Sequence, residues 1–264
     1  MNLYAQTNIQ LFNQLSRQGY SNVDLCCIAN VYKLAVNLFT GHFRPSGKTF
    51  IAHLVGTASI LANLHVSPKL VATGLLHAAY SHGDFGGTGK KGISPAKRKQ
   101  VACVVGQEIE ECIAQYTALK WKDNISEIHK HLEEFDSTTR DVLLIRLANE
   151  LEEYNDLGIL YCSDLKHDQY NNHQTMLIIE MAEKIGYPTL AAELDRAFQE
   201  TTIAKIPLEL RVLIGEEFSA LIPPNSCRIK FPVWFYQVIE RRISNRRSLA
   251  GRNSSVQTSH IVDA

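Results

Sequence analysis

Residues 50–80 read FIAHLVGTASILANLHVSPKLVATGLLHAAY. The apolar positions Phe50, Leu54, Val55, Ala58, Leu61 and Ala62 recur three or four apart, which is the period of one helix face. Ser67-Pro68 then reads as a helix start, a serine cap with proline at the first helical position. The segment after it is apolar almost all round, so it belongs at the centre of the fold. Two histidines, His53 and His77, lie inside these two most apolar stretches.

The same period runs outward in both directions. Val23 to Phe39 carries Leu25, Ile28, Val31, Ala35 and Leu38, with Gly41 as a stop signal. Ser94-Pro95 opens a helix that continues through Val101, Val105, Ile109 and Ile113. Ser126–Phe135 reads as a short charged helix and Ser137–Leu157 as a long one. Gln174–Ile185 and Thr189–Thr202 follow. No run alternates with period two, so the expectation is all-α. Residues 1–205 form the helical domain in this reading, and 206–264 form a C-terminal extension. That extension mixes aromatics around Trp234 with a basic tail from Arg241, for which disorder is expected.

Composition excludes several classes. The chain has 264 residues, 45% hydrophobic and 20% charged, with no net charge. That supports a sizeable core and gives no global attraction to nucleic acid or an anionic membrane. No apolar run is long enough to span a bilayer, and no export signal is evident, so a cytoplasmic protein is expected. The six cysteines show no C-x-x-C spacing and read as buried free thiols. The loop GDFGGTGKKG, 83–92, lacks the spacing of a phosphate-binding loop and reads as a flexible flap beside a pocket. A dimer is permitted without being required.

The segment HFRPSGKTFIAHLVGTASILANLHVSPKLVATGLLHAAYSHGDFG resembles the HD-domain alarmone hydrolases, the Rel/Spo-type enzymes that degrade ppGpp. Their first motif, R-x-S-G-x-x-Y-x-x-H-P, is matched by Arg44, Ser46, Gly47, Phe50 and His53. Their second is matched by Leu75, Leu76 and His77. DVLLIRLANELEEYNDLG resembles the third motif, and MLIIEMAEKIGYPTLAAELDRAF resembles the helices after it. The resemblance covers about residues 42–200 and implies an HD-domain-like helical bundle. The chain also looks like a divergent HD-like branch sharing H-L-x-G-T, an L-x-H without aspartate, and A-N-x-x-E.

In the family, two histidines and two aspartates hold a divalent metal, usually manganese. The resemblance places the histidines on His53 and His77, but the aspartates fall on Ala78 and Asn149. The Glu-Asp pair that handles the attacking water falls on Ser81 and His82. Hard divalent ions need anionic oxygen, which this set does not supply. No cofactor is therefore expected. If a metal is held, zinc, iron or manganese on His53, His77 and His82 is the alternative, with a divergent hydrolase or oxygenase as its consequence.

The remaining groups suit proton transfer. His53, His77, His82 and Glu150 are the expected catalytic residues. Arg44, Lys48, Tyr80, Asn149 and Glu153 are the expected contacts to a small, anionic metabolite. The reactions that fit are elimination, isomerisation or cyclisation. A catalytically inactive module that binds a nucleotide or metabolite is a third reading. Plainer roles stand beside these: Asn149 as a helix bridge, Tyr80 as core, Lys48 as surface. Glu152 reads as the solvated face of its helix.

Overall fold

The computed structural model describes residues 4–86, 91–161, 170–207 and 209–210. Among these the structure is helical, with one isolated bridge between Phe43 and Thr49. The C-terminal aromatics, the basic tail, Cys162, Cys227 and the centre of the glycine loop lie outside the described residues. The described residues all fall within the unit Met1–Ile222.

The core is built on two adjacent helices, α3 (Phe50–Asn63) and α4 (Pro68–Leu76). Every residue from His53 to Ala62 and from Leu70 to Tyr80 is buried. Thr49 caps α3, its hydroxyl accepting from the Ala52 amide. His65 turns the chain at φ +54, and Pro68 then stands in the first turn of α4. Ser67 precedes it as expected but makes no side-chain cap. Gly74 lets the helices close, because a Cβ there would lie 2.6 Å from Leu61 Cδ1.

Around this pair lie α1 (Asn8–Arg17) and α2 (Asn22–Phe39), which both have capping boxes. The first, Thr7 with Gln10, escaped the apolar pattern because α1 buries only Leu11 and Leu15. Gln14 of α1 explains why Ser59 is tolerated in the core: Ser59 Oγ donates to Gln14 Oε1 at 2.6 Å.

Two expected continuous helices are broken. The chain leaves the helix at His77–Ala78 and resumes for one turn as α5 (Ala79–His82), which Gly83 ends. The helix expected from Ser94 through Ile113 is divided at Gly106, whose φ of +83 is left-handed. The pieces are α6 (Pro95–Val105) and α7 (Gln107–Ala118). After α8 (Ile125–Lys130) the long α9 (Ser137–Asn155) runs against α3, α4 and α7. Asp136 caps it, accepting from the Thr139 amide at 2.7 Å. The pair α10 (Asn172–Lys184) and α11 (Pro188–Ile203) closes the far side of α9.

The cysteines depart from expectation. Cys26, Cys27 and Cys103 are exposed and only Cys112 is buried among those described, because α2 and α6 each turn part of their surface to solvent. No helix among the described residues is long and apolar enough to cross a membrane.

The α3–α4 contact supplies a stability test. Gly74→Val adds branched bulk where Leu61 and the Ala58 backbone already press. Overpacking of this kind costs about 1–3 kcal/mol. A fall in the urea midpoint, followed by circular dichroism at 222 nm, is the expected outcome.

Candidate functional site

A tight turn prepares the site before α3 begins. The Gly47 amide donates to the Arg44 carbonyl and the Arg44 amide to the Lys48 carbonyl, each at 2.8 Å. Gly47 adopts φ +80, which favours glycine. This is the physical content of the R-x-S-G pattern: the turn sets Arg44 and Lys48 side by side over the start of α3.

His53 lies on the first turns of α3 and His77 at the end of α4, both buried. Their Nε2 atoms are 3.3 Å apart. His77 Nδ1 lies 2.8 Å from the Gly74 carbonyl oxygen, which can only accept. The proton is therefore assigned to Nδ1, and Nε2 carries a lone pair. An Arg44 guanidinium N–H lies 3.2 Å from His53 Nε2 and can only donate. His53 thus also presents a lone pair at Nε2 and donates from Nδ1 to Glu152. Burial, with the Arg44 charge nearby, holds both imidazoles well below their ordinary pKa and keeps them neutral.

Glu152 is not on a solvated face. It is buried between His53 Nδ1 and the Lys48 ammonium, with only 4% of its side chain exposed. Burial pushes its carboxyl up to about 8, against the pull of Lys48. Gly56 makes the room: a Cβ there would stand 2.7 Å from Glu152 Oε1 and 2.8 Å from its Cγ. The H-L-x-G-T and A-N-x-x-E patterns are thereby two halves of one contact, joining His53, Gly56 and Glu152. That complementarity was the available signal, but the neighbouring glutamates in the sequence hid it.

One face of α9 supplies Arg146, Asn149, Glu152 and Glu153, spaced at helical intervals. Glu153 accepts from Arg44 at 2.5 Å and from Asn149 Nδ2 at 3.3 Å. Burial opposes its ionisation, but Arg44 and Arg146 hold its carboxyl well below the usual range. Lys48 also reaches Asp156 at 2.7 Å, so Lys48 is a site residue rather than a loose surface cation.

These groups surround a cavity of about 610 Å³. Arg44, Lys48, His77, His82, Asn149 and Glu153 line it, while His53 lies just behind its wall. His82 stands against the Phe50 ring at 5.1 Å, and burial, then Lys91 and Arg44, push its imidazole down to about 4. Two expected residues are elsewhere. Tyr80 donates at 2.6 Å to Glu110, which Arg98 also holds, so the plainer reading of Tyr80 as core applies. Glu150 lies off the cavity-facing side of α9, paired with Arg146 and accepting from Tyr170 at 2.8 Å.

The sequence reading passed over Tyr116, Arg146, Lys91 and Lys122, which also line the cavity. A lone arginine in the apolar run LLIRLA, four residues before a glutamate, was the signal for a buried pair. Tyr116 had no such mark; the fold brings its ring against His77, at 5.0 Å, and its hydroxyl to Arg146, at 3.0 Å. With Lys91 and Lys122 the wall carries five Lys or Arg side chains against Glu152, Glu153 and Asp156.

The divalent ion that the resemblance implies fits this site only in half. Two ligand nitrogens about 2.0–2.1 Å from a tetrahedral ion lie about 3.3–3.4 Å apart, and the two Nε2 atoms meet that spacing. The rest fails. Ala78 offers no donor, and Glu153 is held by Arg44. No group of three His, Cys, Asp or Glu side chains is arranged to hold a metal among the described residues.

Comparison with known proteins agrees with the motif resemblance. A family described as a domain of unknown function (DUF6817) matches residues 36–120. The GTP pyrophosphokinase rsh of Brucella suis biovar 1 (strain 1330) is 24% identical over 181 residues, covering 66% of this chain and 22% of that one. Its counterpart in Brucella melitensis biotype 1 is 25% identical over 146 residues, covering 53% and 18%. The chain thus spans about a fifth of the length of these curated relatives. Over these stretches it is similar to the two relatives at low identity. A solved structure described as "A metazoan ortholog of SpoT hydrolyzes ppGpp and plays a role in starvation responses" aligns with a TM-score of 0.42. The two are 12% identical, over 70% of this chain and 98% of that one.

Two outcomes follow from the Glu152 contact. Gly56→Ala forces the Glu152 carboxylate away from His53. Its cost, about 1–3 kcal/mol, outweighs a helix-propensity gain of about 1 kcal/mol, and a lowered urea midpoint is expected. The second outcome concerns pH. A carboxyl raised from 4.5 to about 8 contributes stability that is full below 4.5 and is lost as pH rises through 8. Glu152→Gln lacks that loss. Its melting temperature, measured against wild type from about pH 5 to about pH 8, should shift progressively in the variant's favour.

Proposed function

We propose that the cavity is the active site of an enzyme that moves a proton on a small anionic metabolite, by elimination, isomerisation or cyclisation. The observation that carries this reading is His77 in the cavity wall, its Nδ1 held by the Gly74 carbonyl so that Nε2 keeps a lone pair. A base needs a free lone pair, a fixed direction and a means of stabilising the negative charge it creates. His77 supplies the first two. The cationic wall, led by Arg44 and Lys48, supplies the third.

The step is simple in outline. His77 Nε2 takes a proton from a carbon next to a carboxylate or carbonyl, and the C–H electron pair becomes an enolate. The enolate then either expels a leaving group or recovers a proton at another atom. His77 in this environment is a weak base, because burial disfavours its charged form. The cations must therefore lower the enolate's energy to make the transfer feasible. Tyr116, against the His77 ring, is placed to help close the substrate over the base.

The curated relatives bear the name of an enzyme acting with GTP, and the family resemblance implies ppGpp hydrolysis. That hydrolysis needs carboxylates at positions occupied here by Ala78, Ser81, His82 and Asn149. With Mn²⁺ and ppGpp, no pyrophosphate release above background is expected, by phosphate-detection assay.

The direct test uses solvent deuterium. Small carboxylate and phosphate metabolites are screened by thermal shift, and each ligand is incubated with enzyme in D₂O. Proton NMR should show loss of a C–H signal with wild-type protein. His77→Ala should slow this exchange by roughly 10²-fold or more. Equal exchange by a folded His77→Ala protein would overturn the assignment of the base.

A further inference from the structure

Two neutral imidazoles with their lone pairs 3.3 Å apart repel one another unless a positive group stands beside them. In the metalloenzymes that the motifs resemble, that group is the metal ion. Here the positive group that contacts the pair is a guanidinium. One Arg44 N–H donates to His53 Nε2 at 3.2 Å, and the other nitrogen binds Glu153 at 2.5 Å. Phe50 lies under the guanidinium, with the ring centroid 5.6 Å from Cζ. The Arg44 charge acts on both imidazoles.

We infer that the Arg44 guanidinium is the resident cation of the His53–His77 pair, occupying the place of a divalent ion and keeping such ions out. This deepens the metal-free reading above and rests on it.

The exclusion is both electrostatic and geometric. An ion bound to both Nε2 atoms would lie about 2.0–2.1 Å from each. It would need the His53 Nε2 lone pair to which the Arg44 N–H, 3.2 Å away, already donates. A dication that close to a fixed monocation in a buried site is strongly repelled. Arg44 also ties up Glu153, a carboxylate that lines the same cavity. Lysine would not substitute, since the fork is what reaches an imidazole and a carboxylate at once.

The inference predicts a gain. Without Arg44, two imidazoles at ligand spacing are left beside a released Glu153 carboxylate. Two histidines and one glutamate form a known zinc-ligand set. Arg44→Ala should therefore create a metal site where the natural chain has none.

The experiment titrates Co²⁺, followed by its visible absorption, and Zn²⁺, followed by calorimetry, into the full chain at about pH 7.5. Wild type, His77→Ala, Arg44→Ala and Arg44→Ala/His77→Ala are compared. Wild type should show no binding that His77→Ala removes. Arg44→Ala should take one ion per chain, roughly tenfold or more tighter than wild type, as expected for removal of an adjacent like charge. The double variant should lose that gain. If wild type itself takes one ion in a His77-dependent way, both this inference and the metal-free reading fall. If Arg44→Ala keeps the wild-type helical signal and gains no ion, this inference alone falls. Should Arg44→Ala not fold, Arg44→Gln, which removes the charge and keeps a polar side chain, is read by the same criteria.

Discussion

The contact between Glu152 and His53 is the constraint around which the rest of the site is arranged. A carboxylate inside an apolar helix pair is costly unless hydrogen bonds and charge compensate it. Each neighbouring feature answers part of that cost, and the carboxyl, raised to about 8, marks how much is left. Gly56 gives up a side chain so that α9 can bring the carboxylate in. Lys48, set by the Gly47 turn, lends a positive charge. His53 lends an N–H, and in doing so its other nitrogen is fixed as an acceptor toward Arg44. The tautomer of His53, the aim of Arg44 and the absence of a Cβ at residue 56 are thus one linked choice.

The same logic is repeated along α9. Arg146 pairs with Glu150 and also lies over the Tyr116 and Trp121 rings, while Tyr170 and Trp121 complete the hydrogen bonds around the glutamate. Buried pairs of this kind add little net stability compared with an apolar core, but removing one partner costs about 3–5 kcal/mol. Their value lies in fixing geometry. Arg146, held from below, presents the Tyr116 ring to His77 and closes one side of the cavity.

The fold was readable because the apolar period of residues 50–80 admits only central helices, and the motif order placed His53 and His77 together. The errors were local and have local causes. Gly106 and the His77–Ala78 break interrupt runs whose apolar spacing continues across them, so periodicity alone does not reveal them. Glu150, Glu152 and Glu153 are adjacent letters with different destinations, because successive helical residues point about 100° apart. A single-residue choice of phase decides which one meets His53, which one meets Arg44 and which one turns away to Arg146, and the chain's own composition does not set that phase. Tyr116 and Arg146 enter the site through tertiary packing, which no short motif records.

A buried cluster of histidines and glutamates must balance its own charges. Two imidazole lone pairs facing each other call for a cation whether or not a metal is available, and Glu153 inside the same cluster calls for another positive partner. A guanidinium meets both needs with one group, since its flat fork donates in two directions while its charge never titrates in the working range. A metal ion and an arginine favour different chemistry. A metal ion acidifies water and favours hydrolysis, whereas a guanidinium stabilises carboxylates and enolates without generating a nucleophile. Under the proposed function, the guanidinium that settles the histidine pair also lines the cavity in which proton removal would create an anion.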